Sequence, residues 1–411
     1  MIAINFVIFM VSEIIYKVNV LDSNSIALGE IISNKKVKEP NSIGEYQKNY
    51  GEFAPFAREQ FKLRGKSWKK LPIHSENGCL FLQRAFEQCT SEVVAQWKAE
   101  EFTSKKMLNL TGGLGIDDWA WAKTGCDVMS IEIDPILNHI SRLNFQKLGV
   151  KVDRIDGDTH SLISQINTTN FDLIYIDPDR RIENNFAGYN PKNFSPNISE
   201  ILEILKDKFN RILIKLSPYT DIEWLKNEFQ DCTKISVVQY GDDVKEILIL
   251  FENNKSYSQS LDGYFIEDNH KFSKWNADKV KSYQFENIGM SQIWVPNGMA
   301  NCLKINELFK EFSNFKTVSN YTGLFITENN IPESLGKTYK IFKEFKESSL
   351  KQLKMLLKKH NISSGGLRAR NVKGLSSSEI QKKLNISEGN KYQLFLVCTE
   401  TGKFNLWVTE K

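Results

Sequence analysis

The spacing of apolar residues changes near position 100. Before it, they recur mostly at helical intervals. The stretch 52–70 mixes charged and aromatic residues, and 80–98 carries Leu82, Phe86, Val93, Val94 and Trp97, so helices are expected over residues 1–100. From Lys106 on, short apolar runs alternate with amphipathic ones. Strands are predicted over 107–110, 128–133, 150–155, 171–176 and 211–216, and helices over 116–123, 136–148, 198–209 and 222–229. The run 171–176 is almost wholly apolar, as a strand covered on both faces should be. This alternation predicts a doubly wound, mostly parallel α/β sheet. Two further strands, 235–240 and 246–251, are joined by Gly241-Asp242-Asp243, and so short a link demands a terminal antiparallel hairpin.

Beyond it, 256–335 reads as a small mixed α+β domain. A long amphipathic helix is expected over 339–360, then Gly365-Gly366, a basic stretch with Arg368, Arg370 and Lys373, and a helix over 377–384. Strands over 392–399 and 404–409 flank a turn at Thr401-Gly402. The expected organisation is a helical part (1–100), an α/β core (101–255), a small α+β domain (256–335) and a basic terminal domain (336–411).

Composition narrows the class. With 411 residues, 41% hydrophobic and 25% charged, the chain suits a soluble globular protein of two or three domains that needs no disulfide staples. Its six cysteines form no CxxC pair and no histidines cluster with them, so neither a zinc site nor any other metal is expected; free thiols in a reducing, cytoplasmic compartment are. The apolar run 2–11 is too short to span a bilayer and no Lys or Arg precedes it, so a packed or poorly ordered segment is expected there, without stable membrane association. The net charge of +4 hides an asymmetry. Residues 340–411 hold 15 Lys and Arg against 6 Asp and Glu, a surplus of +9, whereas the remainder is at −5. A basic end on a mildly acidic body suggests an anionic partner, although a solvated lysine-rich surface would read the same way.

The candidate chemistry gathers in the middle third. After the first strand come Thr111, Gly112, Gly113 and Gly115, then Asp117. Glycines there let backbone approach a ligand, and the following helix start favours negative charge; a tight structural turn is the plainer reading. The third glycine of a dinucleotide motif is missing, because position 118 is Asp118. Glu132 follows Asn109 by 23 residues, at the end of the second strand, where a carboxylate can accept both ribose hydroxyl protons. Asp158 ends the third strand, within reach of an adenine amino group. In that register, the three features describe a site for S-adenosylmethionine (SAM). The fourth strand ends in Asp177-Pro178-Asp179-Arg180-Arg181. Asp177 and the Pro178 carbonyl could accept hydrogen bonds from a substrate amine, and Arg180 and Arg181 could fork a phosphate or carboxylate.

These residues together resemble a bacterial family of class I SAM-dependent methyltransferases with a C-terminal THUMP-like domain. The resemblance covers most of the chain beyond about residue 50. It rests on Glu87-Gln-Cys-Thr-Ser-Glu92, Leu110-Thr-Gly-Gly-Leu-Gly-Ile-Asp117, Tyr175-Ile-Asp-Pro-Asp-Arg-Arg181, Pro196-Asn197 and Ile214-Lys-Leu-Ser-Pro218. Arg368 to Asn371 and Gly389 look like the basic turn and closing strands of the THUMP-like part. Asn109 departs from the aspartate that many SAM enzymes carry there. The resemblance implies a Rossmann-like core, a ferredoxin-like domain over 256–335, a THUMP-like domain over 336–411 and RNA (rRNA or tRNA) as substrate, bound through Arg368, Arg370 and Lys373. A methyltransferase for proteins or small molecules, and a non-catalytic RNA-binding protein with a SAM pocket, are the alternatives.

Overall fold

The computed structural model describes residues 2–179, 181–182, 185–186, 194–206, 208–253, 259–268, 271–280, 283, 285–305, 315–318 and 323–410; for 2–11, 181–182 and 185–186 only the backbone is described. The chain forms two compact units. One comprises Met1–Ile235, Glu246–Gln259 and Asp268–Lys271, and the other Ser236–Lys245, Ser260–Glu267 and Phe272–Lys411.

In the first unit, helices Ile2–Ser33, Ala54–Lys70, Gln83–Gln88 and Glu92–Glu101 precede the sheet. Among the described residues, no helix is long and apolar enough to cross a membrane. The helix expected over 80–98 is broken in two. Ser91 takes an extended backbone (φ −74°, ψ 152°), and Thr90 turns its hydroxyl to Asp117 Oδ2 at 2.9 Å. The strands that follow are β1 (Lys106–Asn109), β2 (Asp127–Glu132), β3 (Asp153–Asp156), β4 (Leu173–Ile176), β5 (Arg181–Ile182), β6 (Asn185–Phe186), β7 (Arg211–Leu216) and β9 (Asp243–Glu252), the last mostly in this unit, while β8 (Lys234–Tyr240), β10 (Ser260–Ile266) and β11 (Phe272–Asn276) fall mainly in the second. The sheet order is β11-β10-β8-β9-β7-β4-β1-β2-β3. From β3 to β7 the pairing is parallel, and β9 lies antiparallel to β7. Every residue of β4 is buried, as its apolar run required. The chain steps outward from β1 to β2 and β3, then returns to place β4 on the other side of β1. That reversal is a topological switch point at the carboxyl ends of β1 and β4, the place where ligands bind in open α/β sheets.

The second unit also holds a sheet of its own, β12 (Asn287–Pro296), β13 (Phe315–Thr317), β14 (Phe325–Asn329), β15 (Gly336–Glu347), β16 (Gly366–Arg370), β17 (Tyr392–Cys398) and β18 (Phe404–Glu410), ordered β13-β14-β12-β15-β18-β17-β16. Period-two alternation gives this sheet two apolar faces. Leu394, Leu396, Leu406 and Val408 pack under helices Leu350–Lys359 and Ser377–Leu384, while Phe395, Val397 and Trp407 pack with Ile293 and Leu324. The helix expected over 339–360 is instead β15 followed by a helix that Ser349 caps through Gln352 N. A register shift between Ile341 and Lys343 explains the misreading. One extra residue there moves Ile341 and Phe345 to opposite faces and gives the segment a helix-like apolar spacing. The expected boundary at 335/336 falls between β14 and β15, and β15 pairs with β12 across it.

Candidate active site

Asn109 closes β1 and organises the glycine turn. Its side-chain carbonyl accepts from Thr111 N (2.9 Å) and Oγ1 (3.2 Å), and its amide donates to Asp118 Oδ1 (2.6 Å). An ionised aspartate at 109 could not donate to Asp118, so the departure noted in the sequence is matched by a carboxylate nine residues on. Arg154 on β3 braces the turn. It donates to Asp118 Oδ2 (2.8 Å), Ser130 Oγ (3.2 Å), Gly113 O (2.9 Å) and Asn138 Oδ1. Gly112 is needed for that brace, because a Cβ there would lie 2.3 Å from Arg154 Nη1. Gly115, at φ +79°, is in the left-handed region.

The turn is laced to its neighbours. Glu132, at the end of β2, accepts from Gly113 N (2.6 Å) and Asp134 N (2.9 Å). Beside it Ile133 is 68% exposed, an apolar surface that sequence reading did not single out. Asp158 is half-buried and caps the short helix Thr159–Leu162, accepting from Ser161 N and Oγ at 3.1 Å each. Thr159 Oγ1 donates to Leu110 O (2.5 Å), which ties the β3 loop to the turn. At the end of β4, Asp177 N donates to Thr111 Oγ1 (2.6 Å). The ends of β1 to β4 thus share one hydrogen-bonded cluster, which brings Thr111, Gly113, Glu132 and Asp177 together.

Lys215 of β7 pairs with Asp177 Oδ2. Pro178 is buried, and Asp179 meets Arg84 (2.8 Å) and Gln88 (3.4 Å). Arg181 lies on β5 with its side chain outside the described residues, and Arg180 is wholly outside them.

Asp117 is 8% exposed and joins a buried ionic cluster. It accepts from Thr90 Oγ1 (2.9 Å), Lys98 Nζ (3.1 Å) and Tyr175 OH (3.1 Å), and Lys98 also reaches Glu246 (2.8 Å). Burial pushes the Asp117 carboxyl up, but the Lys98 and Lys215 ammoniums outweigh it and hold it below the ordinary range. For Lys215, burial alone would lower the pKa; Asp177, Glu246 and Asp117 raise it. Burial, then the Asp117 and Asp177 charges, pushes the Tyr175 phenol well up. Sequence reading quoted the runs holding Thr90 and Lys215 without giving either a role, and missed Lys98 and Glu246. The available signals were faint: a lysine between Trp97 and Ala99, and a glutamate heading an apolar strand.

The basic residues expected to meet an anionic partner differ in setting. Arg370 and Lys373 are exposed. Arg368 is half-buried, its guanidinium 5.7 Å from the Tyr339 ring centre and 5.9 Å from that of Phe395.

No family model and no curated protein matches the sequence. Among solved structures, a candidate methyltransferase from Porphyromonas gingivalis W83 is similar over 97% of this chain and 98% of that one, with a TM-score of 0.73 and 19% identity. Partial likenesses include TrmK of M. capricolum in complex with S-adenosyl-homocysteine (41% of this chain, 70% of that one, TM-score 0.30, 16% identity). Another is a tRNA (uracil-54, C5)-methyltransferase of Pyrococcus abyssi (41% and 39%, TM-score 0.29, 16% identity). The strand order, the closing antiparallel strand and the full-length likeness together give the chain the Rossmann-like class I methyltransferase fold.

Proposed function

We propose that the protein is a SAM-dependent methyltransferase acting on RNA in the cytoplasm, with a basic, THUMP-like end (336–411) that holds the RNA. The observation that carries the first part is the lacing of the four strand ends around the β1/β4 switch point, through Gly113 N to Glu132 and Asp177 N to Thr111. The residues fit the cofactor. Glu132 and Asp158 offer carboxylates for its ribose and adenine ends, and exposed Ile133 offers an apolar face for the adenine ring. Thr111, Gly112, Gly113 and Gly115 leave backbone at the methionine end, and Asp117, in the first turn of the helix that follows, completes the proposed cofactor-binding set.

When bound, SAM supplies an electrophilic methyl on a sulfonium. The chain's task is then to align and desolvate a substrate nucleophile. Lys215 holds Asp177 through Oδ2, so the other carboxylate oxygen can orient a substrate amine with the Pro178 carbonyl beside it. For Arg180 and Arg181, whose side chains lie outside the described residues, the proposed role is to fork a phosphate or carboxylate of the substrate. The surplus of +9 charges in 340–411, with Arg370 and Lys373 exposed, supports RNA as the substrate; Arg368 serves there as a packed cation on aromatic rings.

The test is methyl transfer from labelled SAM to RNA of a strain lacking the gene, read by nucleoside mass spectrometry. A methylated nucleoside is expected. Asp177→Asn, which keeps an acceptor oxygen for Lys215, should slow its formation at least ~10-fold, within the range of a lost positioning contact. Label appearing in protein or small molecules instead would favour the alternative substrate class, and no transfer with intact RNA binding would favour the non-catalytic reading.

A further inference from the structure

We propose that Phe342 and Tyr392 form a platform on which an unpaired RNA base stacks, with Lys343 and Lys391 placed to hold the adjoining phosphates. The inference rests on the RNA reading above and assigns it a specific surface. Phe342 is the extra residue of the β15 bulge, since Ile341 pairs with Thr409 and Lys343 with Val408, and no partner is left for the position between. Bulges re-aim side chains. Here the consequence is a phenyl ring left 47% exposed.

That ring lies 5.9 Å from Tyr392 with only 21° between the planes, a stacked pair. A third flat ring can extend such a stack, and burial of the exposed phenyl face would add to its stability. The cations are in place: Lys343 Nζ is 5.5 Å from the Phe342 ring centre, and Lys391 Nζ is 5.0 Å from that of Tyr392. Lys343 is also fixed by His360 Nδ1 at 2.7 Å, so it is a held charge. Aromatic faces bordered by lysines on a domain with a +9 surplus match the chemistry of a single-stranded nucleic acid: planar bases between anionic phosphates. An acidic polypeptide would use the lysines and leave the stacked rings without a role.

The experiment is fluorescence anisotropy of a short labelled oligouridylate with the full chain, without SAM, at several salt concentrations. Wild type should bind with strong salt dependence. Phe342→Ala should weaken binding about 5- to 150-fold at fixed salt, the range of one lost base–aromatic stack, and leave the log–log salt slope unchanged. Phe342→Tyr should bind as wild type. Lys391→Gln should flatten the slope by about 0.7, the share of one phosphate contact on a single strand. Binding by Phe342→Ala equal to wild type, or an equal loss in Phe342→Tyr, overturns the platform while leaving the RNA reading intact. Absence of salt-dependent RNA binding by wild type overturns both, whereas SAM binding would be unaffected.

Discussion

Asp117 shows how much of this site depends on charges that cannot be seen one residue at a time. Its pKa is depressed by Lys98 and Lys215 against the pull of burial. A depressed carboxyl stabilises the fold above its unfolded pKa of about 3.9, and that contribution is lost as pH falls through the lower folded value. Asp117→Asn should therefore cost about 3 kcal/mol near neutrality, the scale of breaking a buried pair. Its deficit in thermal unfolding should hold constant above about pH 5 and shrink as pH falls from there through the depressed folded value; a deficit independent of pH would contradict the ionic account. Glu132 and Asp177 were legible because each ends an apolar strand, where a charge signals the sheet's edge. Lys98 and Glu246 were not, because each makes sense only once segments far apart in sequence meet at 2.8 Å.

Among the elements, the turn after β1 was readable as glycine-rich, but its reason was not. Sequence reading weighed ligand approach against a tight turn. The structure adds a third cause, since Gly112 clears the path of Arg154 to the turn. Gly112→Ala should destabilise by about 1–3 kcal/mol through overpacking, seen as a lower melting temperature even without ligand; an unchanged melting temperature would mean that Arg154 moves aside freely. The sheet's alternation and its closing hairpin were legible because period and loop length are local properties. β15 was misread for an equally local reason. The bulge at Phe342 breaks the period of two, and the true helix starts only at the Ser349 cap.

At the scale of the molecule, core packing joins parts that the sequence presents as separate. β12 pairs with β15, and Ile293 and Leu324 complete the cluster around Phe395, Val397 and Trp407. A fragment of residues 336–411 should accordingly lack a cooperative thermal transition, whereas one of residues 285–411 should show it; cooperative unfolding of the shorter fragment would contradict this shared core. The charge asymmetry was legible from composition, but packed Arg368 and the exposed Phe342 pair emerged only with the sheet. The central claim is that the β1/β4 switch point holds SAM, and titration calorimetry of the full chain tests it most directly. Wild type should bind SAM at one site. Glu132→Gln, which removes the charge but keeps an acceptor oxygen for the turn, should bind about 5- to 150-fold more weakly, as expected for one lost charge-assisted hydrogen bond of about 1–3 kcal/mol. A folded wild type that gives no binding heat and no thermal shift with SAM would contradict the account.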